Sequence, residues 1–96
     1  MNIAVVGTGY VGLVTGTCLS ETGNNVICVD IDADKVARLQ AGQIPIFEPG
    51  LDVLFQRNIK EGRLHFTTNL EEAIQNTTLI FLALPTPPGG DGSADL

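Results

Sequence analysis

Three glycines placed directly after a short apolar segment restrict what this chain can fold into more than any other feature. Residues Ile3 to Val6 form a continuous apolar run, which is typical of a strand buried on both faces of a parallel sheet. A helix is predicted from Val11 to Thr22, and the turn between the two elements contains Gly7, Gly9 and Gly12. A tight strand-to-helix turn of this kind predicts the first half of a β-α-β unit.

The rest of the 96-residue chain alternates between short apolar strands and helices. Further strands are predicted at Val26 to Asp30, Leu64 to Thr67 and Thr78 to Leu84. Further helices are predicted after Asp32, from Leu51 and after Thr68. The pattern indicates an α/β fold, a Rossmann-like doubly wound parallel sheet with the element order βαβα followed by αβαβ, in one domain over residues 1–96. We expect the strand order third, second, first, fourth, and a fold truncated at its C-terminal end.

Local patterns also predict burial at the end of the chain. The spacing of Thr68 and Glu71 matches a capping box, and the short helix that follows is expected to bury Leu70 and Ile74. The strand from Thr78 to Leu84 is apolar throughout, a composition suited to the middle of a sheet, although the expected strand order places it last.

Composition excludes several classes of function. A net charge of −6, from five basic and eleven acidic residues, provides no cationic surface for nucleic acid. The longest apolar run, Leu79 to Leu84, is much shorter than the roughly 20 residues of a membrane helix, and the N-terminus lacks the basic region of a signal peptide. We therefore expect a cytoplasmic protein with no membrane partner. Cys18 and Cys28 have no Cys-x-x-Cys spacing, which predicts buried free thiols and no metal site.

The glycine turn has the chemistry of a phosphate-binding loop. Residues 7–12 fit the pattern G-x-G-x-x-G, in which Gly7 permits the tight turn, Gly9 lets a pyrophosphate approach the backbone, and Gly12 lets the helix pack on the strand. Exposed amides and the helix dipole then attract the anion. The alternative is a turn that only connects strand and helix.

Asp30 at the end of the second strand favours the dinucleotide interpretation. It lies 18 residues after Gly12, close to the roughly 20 expected for the acid that binds the adenosine ribose. A carboxylate there accepts hydrogen bonds from both ribose hydroxyls and repels a 2′-phosphate, and the next residue is Ile31 rather than an arginine. NAD is therefore predicted over NADP. Asp30 could instead cap the second helix, although Asp32 is better placed for that role.

For four other polar residues the sequence allows both a functional and a purely structural role. Lys35, in the first turn of the second helix, either reaches the adenosine or is only solvated. Thr86 lies past the last strand, where it either meets the nicotinamide end of the cofactor or forms a turn before two prolines. His65 is predicted to be a surface histidine rather than a catalytic one. Glu48 either shapes its loop or reaches toward a ligand.

Several segments together form a longer signature. They are Val6 to Leu13, Val29 to Asp32 with Lys35, Ile44 to Leu51, and Thr86 to Leu96. Over essentially the whole chain these residues resemble the amino-terminal part of the UDP-glucose dehydrogenase group of nucleotide-sugar dehydrogenases. The segment from Ile44 to Leu51 disfavours other dehydrogenases with a Gly-rich loop, such as the hydroxyacyl and 6-phosphogluconate types.

The resemblance implies an NAD-dependent enzyme that oxidises the C6 hydroxyl of UDP-glucose to a carboxylate in two hydride transfers, through a cysteine-bound intermediate. It implies cofactor contacts at Gly7, Gly9, Tyr10, Val11, Gly12, Asp30, Lys35 and Thr86. Pro85 stands where many enzymes of this group have glycine, which leaves UDP-N-acetylmannosamine and GDP-mannose dehydrogenases as alternatives.

The family's catalytic cysteine and lysine lie downstream of this chain, and neither Cys18 nor Cys28 matches that cysteine. No catalytic residue is therefore predicted here, and the chain alone is expected to be inactive. UDP-sugar binding is expected only together with downstream domains, in a parent enzyme that forms a homo-oligomer. A stand-alone NAD-binding module without catalysis is the alternative from another class.

Overall fold

A computed structural model describes residues 1–44, 49–75 and 77–83 of the chain. The elements in chain order are β1 (Asn2–Val6), α1 (Tyr10–Glu21), β2 (Asn25–Val29), α2 (Ala33–Gln40), α3 (Leu51–Lys60), β3 (Leu64–Thr67), α4 (Leu70–Gln75) and β4 (Leu79–Leu82). This order is the predicted one. The predicted end of the last strand, Leu84, lies outside the described residues.

The four strands form one parallel sheet in the order β3-β2-β1-β4, which confirms the predicted strand order. β1 is therefore internal, with Val5 opposite Cys28 of β2 on one side and Phe81 of β4 on the other. Because side chains alternate along a strand, β1 directs Ile3 and Val5 to one face of the sheet and Ala4 to the other.

Helices pack on both faces of the sheet, as a doubly wound fold requires. The larger cluster of buried side chains lies on one face, where α1, α2 and α3 contribute Leu13, Leu39 and Phe55. On the opposite face, Ala73 of α4 packs with Ala4 of β1. The sheet is thus buried between two layers at its centre, and its carboxyl edge remains available to a ligand.

Phe55 is the basis of a stability prediction. Its side chain is fully buried, and its ring centroid lies 5.7 Å from that of Phe66. We expect Phe55→Ala to lower the free energy of unfolding by about 3–5 kcal/mol, because the change removes buried apolar surface and leaves a cavity. Val53 of the same helix is 59% exposed, so Val53→Ala should change stability by less than about 0.5 kcal/mol. Urea unfolding followed by circular dichroism measures both, and equal losses would contradict the assignment of Phe55 to the core.

The burial predicted for α4 is wrong. Leu70 and Ile74 are 47% and 39% exposed, and Ala73 is the buried residue of this helix. The helix turns its smallest side chain toward the sheet, which lets the two backbones approach closely. Its cap also differs from the predicted capping box at Thr68: the Asn69 Oδ1 accepts the backbone amide three residues further on, at 2.9 Å.

The last strand has a composition suited to the middle of a sheet, but all four residues of β4 are exposed, in keeping with its last place in the predicted strand order. Within the described ranges β4 is an edge strand that pairs with β1 alone. Apolar character shows that a strand can be buried, and the neighbouring elements decide whether it is.

The two cysteines differ in burial. Cys18 is exposed, contrary to the prediction, because α1 turns Gly12, Gly16 and Ser20 toward the sheet and Cys18 away from it. Cys28 is buried beneath α1, where a Cβ built on Gly16 would lie 2.8 Å from the Cys28 Sγ. Burial raises the pKa of the Cys28 thiol to about 12, so it stays protonated at neutral pH.

Candidate functional site

The glycine turn joins β1 to α1 at the carboxyl edge of the sheet. Gly7 has a φ of 109°, a conformation that only glycine adopts readily. Its amide donates to the Val29 carbonyl oxygen at 2.7 Å, which ties the turn to the end of β2. α1 begins after Gly9, whose carbonyl accepts the Leu13 amide at 2.9 Å. The amino end of the helix therefore lies at the edge where ligands bind in open α/β sheets.

Glycine suits positions 12 and 9 for different reasons. A Cβ on Gly12 would lie 2.0 Å from the Gly7 carbonyl oxygen, because the helix backbone packs directly on the turn. A Cβ on Gly9 would meet nothing within 4 Å, so the space above this residue is open. The first turn of α1 contains no acidic side chain that would offset the positive end of the helix dipole. This turn therefore fits a phosphate group.

Asp30 lies beside the turn because β1 and β2 are parallel neighbours with Val6 opposite Val29. Thr8 donates two hydrogen bonds to the Asp30 Oδ2, from its amide at 3.2 Å and from its hydroxyl at 2.5 Å. The amide of Asp32 donates to the Oδ1 at 3.0 Å. Both oxygens of the carboxylate are thus held by the chain itself.

The surroundings keep Asp30 ionised. Burial by itself raises the pKa of this carboxyl, but hydrogen bonds from Thr8 and Asp32 and the charge of Lys35 outweigh it, so the pKa lies below its ordinary value of 3.8. The Lys35 Nζ is 3.7 Å from the Oδ2. Asp32, not Asp30, caps α2 by accepting the Lys35 amide at 3.1 Å, as preferred in the sequence interpretation.

A cavity of about 390 Å³ extends from the glycine turn to Asp30. Two apolar side chains in its wall are unusually accessible: Ile31 is 95% exposed and Leu70 is 47% exposed. Apolar walls with a few well-placed polar groups are typical of small-molecule sites. The cavity therefore combines an anion site at the glycine turn, a carboxylate, and apolar surface for a flat ring.

The predicted contact residues are only partly brought together. Those that line the cavity are Gly7, Gly9, Asp30 and Lys35. Tyr10 and Val11 lie in the first turn of α1 with exposed side chains. Gly12 lies behind the turn, against Gly7. Thr86 and Glu48 fall outside the described residues.

Six further residues line this cavity and are not among the predicted contacts: Val6, Thr8, Val29, Ile31, Thr68 and Leu70. For Thr8 a signal exists, since its hydroxyl lies between two glycines after β1, and Asp30 directly follows β2, the parallel neighbour of β1. For Leu70 no local signal exists, because the sequence pattern predicts this side chain in the core and not in a cavity wall.

The described part of the chain contains no group of three His, Cys, Asp or Glu side chains that could hold a metal ion. His65 is exposed, as predicted, with its Nε2 2.8 Å from the Gly62 carbonyl oxygen. No helix in these ranges is both long enough and apolar enough to cross a membrane.

All 96 residues match the family model described as UDP-glucose/GDP-mannose dehydrogenase family, NAD binding domain. The chain belongs to this family. The match confirms the resemblance drawn from the four sequence segments, and it confirms NAD as the cofactor of this domain.

Similar proteins in this family act on different nucleotide sugars. The chain is 52% identical to the UDP-glucose 6-dehydrogenase YwqF of Bacillus subtilis and 50% identical to the UDP-glucose 6-dehydrogenase of Rhizobium meliloti, with 100% of this chain and 22% of each relative covered. Its fold is similar to that of a GDP-mannose dehydrogenase from Pseudomonas aeruginosa, with a TM-score of 0.89, 39% identity, and coverage of 96% of this chain and 21% of that one. A UDP-N-acetyl-mannosamine dehydrogenase from Staphylococcus aureus has a TM-score of 0.82 and 35% identity, with 93% and 21% covered.

Proposed function

We propose that this chain is the NAD-binding part of a UDP-glucose dehydrogenase, which oxidises UDP-glucose to UDP-glucuronate with two NAD. The two curated relatives at 50–52% identity, both UDP-glucose 6-dehydrogenases, support the choice of sugar. The observation that carries the binding mode is the ionised carboxylate of Asp30 in the same cavity as the glycine turn. Since the chain spans 22% of those relatives, substrate and reaction belong to the proposal.

In this binding mode different residues contact the pyrophosphate, the adenosine ribose and the adenine of the cofactor. The pyrophosphate lies over Gly9, at the amino end of α1, where the open space accepts it. Asp30 accepts hydrogen bonds from the adenosine ribose hydroxyls, and Ile31 and Leu70 contact the adenine. Bound NAD supplies the hydride acceptor, which is the only chemistry it brings.

The remaining predicted contacts complete this arrangement. Tyr10, Val11 and Gly12 contribute backbone to the phosphate site, and Thr86 contacts the nicotinamide end. Lys35 borders the ribose, where its charge is largely offset by Asp30 at 3.7 Å. An isolated ammonium would attract a 2′-phosphate, whereas an ammonium paired with Asp30 attracts it less.

We further propose that catalysis resides outside these 96 residues, in a cytoplasmic homo-oligomer. Of the two cysteines, Cys28 is buried with a pKa raised to about 12, which is unsuited to a nucleophile. Cys18 is exposed on α1 and is not part of the cavity wall. The second candidate is a GDP-mannose or UDP-N-acetylmannosamine dehydrogenase, which the similarity of those two solved structures favours.

Calorimetric titration of the purified chain tests the cofactor assignment. We expect weak binding of NAD and at least about tenfold weaker binding of NADP, a difference of about 1.4 kcal/mol. At an NAD concentration 100 times its Kd, the free energy of unfolding should rise by about 2.7 kcal/mol. Equal or tighter binding of NADP would contradict the role of Asp30.

An absorbance assay tests the substrate assignment. The chain alone, mixed with NAD and UDP-glucose, should produce no NADH, whereas the full-length protein carrying this domain should produce it. The same protein with GDP-mannose or UDP-N-acetylmannosamine serves as the control. Faster NADH formation with either control sugar would select the second candidate.

A further inference from the structure

Thr8 is a buried polar residue that the glycine motif itself does not require. The pattern G-x-G-x-x-G leaves this position variable, yet the side chain here is 1% exposed. A buried hydroxyl needs a hydrogen-bond partner, and for Thr8 this partner is the carboxylate of Asp30, 22 residues further along the chain and directly after β2. Its amide donates to the same Asp30 Oδ2. Both donors of one residue therefore converge on one oxygen of the candidate ribose-binding acid.

These bonds restrict how the Asp30 carboxylate can turn. The Oδ2 is held by Thr8, and the Oδ1 accepts the Asp32 amide at 3.0 Å. Rotation of the carboxylate would break at least one of these bonds. The competing partner is Lys35, 3.7 Å from the Oδ2, which would draw the carboxylate into a closer ion pair if the Thr8 hydroxyl were absent.

We propose that Thr8 is a positioning residue that sets the preference for NAD over NADP by fixing the Asp30 carboxylate toward the ribose hydroxyls. The inference rests on the proposed cofactor-binding mode and extends it to a residue that contacts Asp30 rather than the hydroxyls. A carboxylate held in advance accepts the ribose without losing rotational freedom on binding. A carboxylate released toward Lys35 accepts the hydroxyls poorly and repels a 2′-phosphate less.

Two substitutions at Thr8 separate positioning from packing. Thr8→Val keeps the shape of the side chain and removes the hydroxyl, and Thr8→Ser keeps the hydroxyl. Thr17→Val is the matched control, because Thr17 is also fully buried and its Oγ1 has no hydrogen-bond partner among the described residues. Circular dichroism confirms that each 96-residue variant is folded before binding is measured.

We expect Thr8→Val to raise the Kd for NAD about tenfold and to reduce the ratio of NADP to NAD dissociation constants by a similar factor. Thr8→Ser should restore both values to within about threefold, and Thr17→Val should leave both unchanged. Carboxyl ¹³C chemical shifts of Asp30 should change in Thr8→Val and return to the wild-type values in Thr8→Ser, because the Thr8 hydroxyl donates directly to the Oδ2.

The outcomes distinguish the inference from the proposed function. If the wild-type chain binds NAD with the expected preference and Thr8→Val retains the same ratio, the positioning role is wrong and the binding mode stands. If NAD and NADP both weaken equally and Thr8→Ser gives no recovery, Thr8 only stabilises the turn, and the inference is again overturned. If the wild-type chain shows no preference for NAD, the role of Asp30 fails and the inference fails with it.

Discussion

Gly12→Ala should destabilise the fold, whereas Gly9→Ala should leave the fold intact and impair NAD binding. The two positions belong to one turn, but a Cβ on Gly12 would lie 2.0 Å from a backbone oxygen of Gly7. Backbone cannot move aside as the end of a flexible side chain does. We therefore expect Gly12→Ala to lower the free energy of unfolding by about 3 kcal/mol, at the upper end of overpacking costs.

At Gly9 the steric situation is reversed. An alanine Cβ meets nothing within 4 Å, and the φ of −73° is one that alanine adopts without strain. In the proposed binding mode this Cβ occupies the space of the pyrophosphate and separates it from the amides of α1. Loss of one charge-assisted hydrogen bond costs about 1.5–3 kcal/mol, so the Kd for NAD should rise about tenfold to a hundredfold.

Urea unfolding and calorimetry, applied to both variants, test this pair of expectations. We expect Gly12→Ala to lose stability and Gly9→Ala to lose affinity for NAD. Unchanged NAD affinity in Gly9→Ala would contradict the proposal that the pyrophosphate binds at this turn. Unchanged stability in Gly12→Ala would show that the helix can shift away from Gly7.

Asp30→Asn should reverse much of the selectivity between the two cofactors. The amide keeps the shape of the side chain but loses the charge that attracts ribose hydroxyls and repels a 2′-phosphate. It also releases Lys35, which lies 3.7 Å from the carboxylate and could then pair with the phosphate. We expect the Kd for NAD to rise about tenfold and that for NADP to fall about tenfold, a combined change of about 2.7 kcal/mol.

Two controls isolate the cause. Asp34→Asn makes the same change in net charge in the first turn of α2 and should leave the selectivity within about twofold of the wild type. Adding Lys35→Met to Asp30→Asn should abolish the gain in NADP affinity, since the released ammonium is then absent. If NADP still binds tightly to the double variant, Lys35 is not the group that receives the phosphate.

Much of the fold follows from local signals in the sequence. Apolar runs bounded by glycine predict β1 and β2, and Asp32 predicts the start of α2, because each signal depends on residues a few positions apart. The order of the strands follows from chirality and short connections rather than from any one residue. The same local chemistry predicts Gly7, Gly9 and Asp30 as parts of one site, and the structure brings them to one cavity.

Tertiary structure alone decides which apolar residues are covered. β4 is as apolar as an internal strand, yet it lies exposed at the edge of the described sheet. In α4 the sequence favours Leu70 and Ile74 as core residues, but the helix rotates to place Ala73 against the sheet. The hydropathy of a side chain indicates whether it can be buried. Whether it is buried depends on how closely the backbones of neighbouring elements approach.

Within the site, the contact between Thr8 and Asp30 likewise depends on tertiary structure rather than on local sequence. Thr8 follows β1 and Asp30 follows β2, so the signal for their hydrogen bond lies in the pairing of the two strands and not in any local pattern along the chain. Only the parallel pairing of β1 with β2, with Val6 opposite Val29, brings the hydroxyl to the carboxylate. The sequence by itself determined the elements, their order and the chemical character of the turn, because these depend on local spacing. The tertiary structure decided the orientation of the acid and the apolar walls beside it, because these depend on distances between residues far apart in the chain.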